Sequence, residues 1–302
     1  MKILITDGMS KEGIEILSNA GFEITNQKFT PEELLQVIPN YDAILVRSAT
    51  KVTKEVIDAG VNLKVIARGG VGVDNIDVAY AKEKGITVLN TPGASSISVA
   101  EMALAHLFAL ARFLHRSTYE MQQGKWPKKE YSEGFELTGK TVGVLGLGNI
   151  GREFAKRAIG LGMKVIAHDP FVTSSDLDVK LVSKDELLEN ADIISLHIPK
   201  IKGEGPAIGA PEFAKMKKGV VIINTARGGV VSEKDLLDAL NSGKVRCAGL
   251  DVFENEPPTE AQKELLNHPN VSLSPHIGGS TPEAQTRIGI EIAEKIVETL
   301  KK

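Results

Sequence analysis

The stretch TVGVLGLGNIGREFAKRAIGLGMKVIAHDP, residues 141–170, admits few folds. A β-rich apolar run meets a turn containing Gly146, Gly148 and Gly151, continues as a helical segment, and returns to a second apolar run ending at Asp169. Strand, helix, strand in that order is the unit of a parallel sheet covered by helices. Each glycine in the G-x-G-x-x-G spacing has a mechanical reason. The first permits a tight turn, the second lets backbone approach a pyrophosphate, and the third lets helix and strand pack closely. The N–H groups that open the helix favour an anion. A carboxylate at the end of the next strand, Asp169, can accept hydrogen bonds from a ribose and repels a 2′-phosphate. Pro170 and Phe171 follow it rather than an arginine. The expectation is a dinucleotide site that prefers NAD to NADP.

The same alternation runs through all 302 residues. Strands are predicted at 2–7, 22–25, 43–48, 64–68 and 86–90, then at 141–147, 164–169, 192–198, 220–226, 247–253 and 271–275. A helix starts near residue 31, with Thr30 as N-cap, Pro31 in the first turn and Glu33 as reciprocal cap. A long final helix is opened by Thr281 and Pro282. The fold expected is α/β: a Rossmann-type doubly wound parallel-sheet domain over 93–281, and a smaller flavodoxin-like α/β substrate domain made of 1–92 plus 282–302. The apolar run 97–114 reads as one buried helix, wide enough in its apolar face to suggest a homodimer. Glu101, His106 and Arg112 interrupt it, so no membrane span is expected.

A net charge of −3, with both signs interspersed, excludes a basic nucleic-acid footprint. Cys247 is the only cysteine, which excludes an intrachain disulfide and suits a reducing cytoplasm. The start, MKILITDGMS, lacks the pattern of a secretory signal. No metal site is expected.

Ligands of open α/β sheets bind beyond the carboxyl ends of the strands. Three ionisable residues stand at such positions: Arg227 after VVIINTA, Glu256 in ENEPP, and His276 after VSLSP. Singly each has a bland reading, as a structural histidine, a surface acid before a Pro-Pro turn, and an arginine paired with a helix acid. Together they suit hydride exchange between NAD and an alcohol or ketone. Histidine can act as base and acid near neutrality, a carboxylate orients it, and arginine polarises a carbonyl or holds a carboxylate. Gly278 and Gly279 would let a nicotinamide lie against the imidazole.

The segments GLGNIG…HDP, INTARGG, LDVFENEP and SPHIGGST resemble the successive signatures of the D-isomer-specific 2-hydroxyacid dehydrogenases, along the whole chain. Within that family VRSATKVT, GVDNID, NTPGAS and GKW look most like the D-3-phosphoglycerate dehydrogenases. The resemblance implies His276 as acid/base, Glu256 as its partner and Arg227 as substrate binder. It places Asp251 on the nicotinamide carboxamide, and Val71, Asn149, Ile150, Ile198, Thr225 and Ala226 along the dinucleotide. It further implies that Arg47 and Arg68 meet a substrate phosphate, and the backbone of RGGVG, including Gly69 and Gly70, is suited to a carboxylate. The expected reaction interconverts 3-phosphoglycerate and 3-phosphohydroxypyruvate, at the entry to serine synthesis.

Two departures stand out. KIKGEGPAIGAPEF (200–213) lacks the Thr-rich loop common there, and neither an appended regulatory domain nor serine feedback through one is expected. The rival readings are a reductase of unphosphorylated glyoxylate or hydroxypyruvate, and a dinucleotide-sensing protein like the corepressors that share this fold.

Overall fold

The computed structural model describes residues 1–201 and 203–301; Lys202, within the 200–213 segment, and Lys302, at the end of the expected substrate domain, lie outside the described residues. In chain order the first elements are β1 (Lys2–Ile5), α1 (Lys11–Asn19), β2 (Glu23–Asn26), α2 (Pro31–Val37), β3 (Ala43–Val46), α3 (Lys54–Ala59), β4 (Val65–Arg68), α4 (Val78–Glu83) and β5 (Thr87–Asn90). Helices α5 (Ser96–Ala111) and α6 (Leu114–Gln122) follow. Then come β6 (Thr141–Leu145), α7 (Asn149–Gly160), β7 (Lys164–His168), β8 (Val179–Leu181), α8 (Lys184–Asn190) and β9 (Ile193–Leu196). The chain ends with α9 (Ala210–Lys215), β10 (Val220–Asn224), α10 (Glu233–Asn241), β11 (Val245–Leu250), α11 (Lys263–Leu266), β12 (Val271–Leu273) and α12 (Pro282–Leu300).

Two compact units result, 1–96 with 279–302, and 97–278. These divisions fall a few residues from 92/93 and 281/282, for a visible reason. Arg287 Nε donates to the Ala94 carbonyl at 2.9 Å and Gln285 donates to the Gly279 carbonyl at 2.8 Å, so α12 ties both flanking segments to the first unit.

The first unit is a five-stranded sheet ordered β2-β1-β3-β4-β5, every pair parallel. That is the flavodoxin-like order. Its central strands are continuous apolar runs such as AILV because helices cover both faces. The capping box on α2 is present, Thr30 accepting from the Glu33 N–H and Glu33 from the Thr30 N–H. Helix α12 starts as expected, with the Thr281 hydroxyl accepting from the Ala284 N–H and Pro282 in its first turn. It buries Ile288, Ile292, Ala293 and Ile296, each worth roughly 1–3 kcal/mol of apolar burial.

The second unit is a seven-stranded parallel sheet ordered β12-β11-β10-β9-β6-β7-β8. The order reverses between β6 and β9, the switch point where such sheets bind dinucleotides. Strand β8 was not expected; three residues with a charged centre at a sheet edge carry little apolar signal. The other expected strands occur, mostly trimmed by one to three residues at their ends.

The single helix expected over 97–114 is two. Phe113 takes a left-handed conformation (φ 57°) and the chain bends by 63° between α5 and α6. The carbonyls at the end of α5 find other partners: Ala109 faces His115 Nδ1 at 3.1 Å, and Ala111 accepts from the Phe135 N–H at 3.0 Å. Among the described residues no single helix is long and apolar enough to cross a membrane.

Candidate active site

Two of the three mechanical roles of the glycines show in the protein's own geometry. Gly146 has φ +94°, and a Cβ there would stand 2.6 Å from the His197 carbonyl oxygen and 2.7 Å from the Ile198 side chain. A Cβ on Gly151 would lie 2.0 Å from the Gly146 carbonyl oxygen, so strand and helix backbones meet where only glycine fits. Gly148 is the N-cap of α7; it offers no side-chain cap to the first-turn N–H groups, and nothing lies within 4 Å of where its Cβ would be. Asn149 and Ile150 form the first turn beside it. Open space before the first turn of a helix is what a pyrophosphate needs.

Asp169 follows β7. One carboxylate oxygen accepts from the Leu147 N–H at 2.8 Å and the other from the Phe171 N–H at 2.9 Å, so it braces the glycine turn. A carboxylate has about four acceptor sites, which leaves capacity for ribose hydroxyls. His197, just past β9, is buried against Phe154 with Nε2 on the Ser195 hydroxyl at 2.9 Å; burial pushes its pKa down to about 3, so it is neutral at physiological pH.

At the end of β10 the sequence reading missed Asn224, whose only signal is a polar residue closing the apolar run VVIIN. Its buried amide accepts from the Ala226 N–H at 3.1 Å and donates to the Arg227 carbonyl at 3.1 Å, which shapes the turn carrying Arg227. Arg227 Nη1 donates to the Ala226 carbonyl at 2.7 Å. Beside it the Thr225 hydroxyl is buried without a hydrogen-bond partner among the described residues.

Gly228 brings this turn onto the next strand end: a Cβ there would sit 1.7 Å from the Phe253 carbonyl oxygen. The Phe253 N–H in turn donates to Glu256 Oε1 at 3.0 Å, and Glu256 Oε2 receives His276 Nδ1 at 2.6 Å. Burial pushes the Glu256 carboxyl up, but hydrogen bonds from His276 and Phe253, with the nearby positive charges of His276 and Arg227, outweigh it and hold it below the usual range. The structure therefore brings Arg227, Glu256 and His276 together. An ionised carboxylate only accepts, so Nδ1 of His276 carries the proton given to Glu256 and Nε2 is left for exchange.

His276 does not end a strand, as 271–275 implied. Strand β12 stops at Leu273, and His276 stands on a turn at φ +53°, a left-handed conformation rare for a residue with a side chain. Asp251, which the resemblance puts on the nicotinamide carboxamide, also has a structural task within the protein. It is 1% exposed and accepts from the Ile277 N–H at 2.9 Å, the Gly278 N–H at 2.8 Å and the Ser274 hydroxyl, so it anchors the histidine turn. A Cβ on Gly278 would meet that carboxylate at 2.9 Å. Gly279 belongs to the other unit, its missing Cβ facing Ser95.

The first unit has its own cluster. Val46 and Arg68 are in register at the ends of β3 and β4. Arg47, just past β3, is gripped by its backbone: Asp7 accepts from its N–H at 2.7 Å, and Asn75 donates to its carbonyl at 2.7 Å. Its Cγ is 3.6 Å from where a Gly69 Cβ would be, and the Arg68 guanidinium fills the space where Gly70 has no side chain. Val71 lies on the same loop, its carbonyl accepting from Asn90 at 2.7 Å. Among the described residues no ion pair engages the Arg47 side chain.

The family model for the D-isomer-specific 2-hydroxyacid dehydrogenase NAD-binding domain matches residues 104–278. A hydroxypyruvate reductase of Thermotoga maritima is 51% identical over 301 residues, covering 99% of this chain and 98% of that protein. A D-3-phosphoglycerate dehydrogenase of Archaeoglobus fulgidus is 46% identical over 305 residues, with this chain spanning only 58% of its length. The solved structure of a glyoxylate reductase from Paecilomyes thermophila superposes with a TM-score of 0.90 at 35% identity, over 100% of this chain and 96% of that one. The chain belongs to the D-isomer-specific 2-hydroxyacid dehydrogenase family and is an NAD-dependent oxidoreductase of that family.

Proposed function

We propose that this enzyme interconverts 3-phospho-D-glycerate and 3-phosphohydroxypyruvate with NAD(H). The observation that carries the reading is the pair Arg47 and Arg68 at neighbouring strand ends, with the Arg47 main chain fixed by Asp7 and Asn75 and, among the described residues, no ion pair on its side chain. A phosphate dianion is a natural partner for two neighbouring guanidinium groups.

The dinucleotide fits the residues present: the open space at Gly148 before the first turn of α7, the spare acceptor sites of Asp169 and the Thr225 hydroxyl, orphaned among the described residues. When bound, it supplies the hydride acceptor or donor. Arg227 holds the substrate carboxylate and polarises the carbonyl oxygen. His276 Nε2 takes the hydroxyl proton in oxidation and returns it in reduction, while Glu256 holds the ring through Nδ1. We place the reaction in the cytoplasm on the same reading.

The second reading is reduction of unphosphorylated hydroxypyruvate, favoured by the 51% identity to the Thermotoga protein. NADH consumption with the two keto acids, before and after Arg47→Gln, separates them. The expected result is a KM for phosphohydroxypyruvate raised by about 10–100-fold, the worth of a charge-assisted hydrogen bond, with hydroxypyruvate little affected. Equal losses on both substrates favour the second reading. Silence on every 2-keto acid would favour dinucleotide sensing.

Part of the same proposal is a homodimer formed through α5, α6 and the segment after them. Phe108 (41% exposed), Leu114 (55%), Tyr119 (65%), Met121 (52%) and Trp126 (76%) leave apolar surface there. Light scattering at micromolar concentration is expected to give twice the chain mass; a monomeric mass removes this part.

A further inference from the structure

His106 lies within α5, 4% exposed, and the chemistry above gives it no task. Both ring nitrogens are nevertheless engaged: Nδ1 with the Ser272 hydroxyl at 2.9 Å, and Nε2 with the Ser274 hydroxyl at 2.9 Å. Its placement is tight. A Cβ on Gly249 of β11 would stand 2.6 Å from the His106 Cβ, so the ring occupies space that glycine leaves open.

The direction of every proton in this chain follows from its far end. Asp251 is a carboxylate and accepts the Ser274 hydroxyl proton. Ser274 has one proton to give, so its oxygen must accept from His106 Nε2–H. The imidazole, kept neutral because burial lowers its pKa against the pull of Asp251 and with a smaller push from His115, then has a bare Nδ1. That nitrogen accepts from Ser272. One fixed array thus runs Ser272 to His106 to Ser274 to Asp251.

The array ends on the turn that carries His276. Asp251 holds the N–H groups of Ile277 and Gly278, and the Ser274 carbonyl accepts the His276 N–H at 3.1 Å. Main-chain groups on both sides of a left-handed residue are therefore pinned by residues that His106 fixes. Such a conformation persists only where its surroundings over-determine it.

We propose that His106 is a positioning residue for the reaction: acting through Ser274 and Asp251, it holds the 274–278 turn so that the His276 imidazole meets both Glu256 and the substrate oxygen. The proposal rests on His276 being the proton carrier.

The test uses the full-length enzyme with NADH and a keto acid. His106→Leu removes the donor at similar bulk. Its kcat is expected to fall by about 10–30-fold, as a misplaced catalytic group does, with the Kd for NADH changed less than about 3-fold. His106→Gln places an amide N–H near the position of Nε2 and should recover most of that loss. Ser274→Ala should reproduce the loss, and the double variant with His106→Leu should be no worse than either alone. Ser272→Ala breaks only the far bond, so it should lower the melting temperature with kcat kept within about 3-fold. A His106→Leu enzyme with wild-type kcat overturns the proposal, and so does a kcat that follows the melting temperature alike in all four single variants. His276→Ala separates the two levels. Full activity in that variant removes the proton-carrier reading itself; an inactive His276→Ala beside a wild-type His106→Leu removes only the positioning role.

Discussion

Replacing His276 with alanine is expected to lower kcat for keto-acid reduction by about 10³-fold while leaving the Kd for NADH within a few-fold of wild type. A positioned acid/base contributes roughly 10²–10⁴-fold. His276 is placed for that work by one strong contact on Nδ1, which leaves Nε2 for the substrate. Glu256→Gln should cost less, about 10–100-fold, because the amide oxygen can still receive the Nδ1 proton though it no longer carries charge. The glutamate contact also has a definite pH range. Because the Glu256 carboxyl is held below the usual value, its stabilising contribution is full above about pH 4.3 and is lost as the pH falls through its lower folded value. Loss of activity on the acid side above that range is therefore not protonation of Glu256. Steady-state rates and NADH titrations check the pair of variants. A His276→Ala enzyme within 10-fold of wild type would falsify the assignment.

Gly151→Ala is expected to cost about 2–4 kcal/mol of stability and to weaken NADH binding by at least about 10-fold. The added methyl group would lie 2.0 Å from the Gly146 carbonyl oxygen. Both groups are backbone, so no side chain can turn away, and α7 must lift from the end of β6; forced overpacking of this kind costs about 1–3 kcal/mol and sometimes more. Gly148→Ala is the informative contrast. Its φ is −73° and the space beyond it is open, so the variant should melt like wild type. Its methyl group enters the region assigned to the pyrophosphate, and NADH affinity alone should fall. Thermal melts and NADH titrations measure both variants. Equal behaviour of the two would mean that the glycines do not divide their roles as the geometry indicates.

The legible parts of the molecule are those whose signal is local. Thr30, Pro31 and Glu33 mark a helix start because all three groups of the cap lie within one turn of chain. Gly146, Gly148 and Gly151 are readable for the same reason. Elsewhere local pattern misled. The run 97–114 is apolar throughout, and nothing in its periodicity announces the left-handed Phe113, since the partners that end α5 include Phe135, far along the chain. Nor does any local pattern show that the Asp251 carboxylate holds residues 274–278, which only the pairing of β11 with β12 brings alongside.

What the sequence determined by itself is the alternation of strands and helices, the glycine turn, and the arrival of arginine, glutamate and histidine beyond three strand ends. Each depends on apolar period, on the absence of a Cβ, or on position along one segment. The tertiary structure decided which side chains face each other: Glu256 against His276, and His106 against two serines more than 160 residues away. Such pairings follow from the spatial order of the strands and the space that Gly228 and Gly249 leave between them, and no local run of residues carries that information.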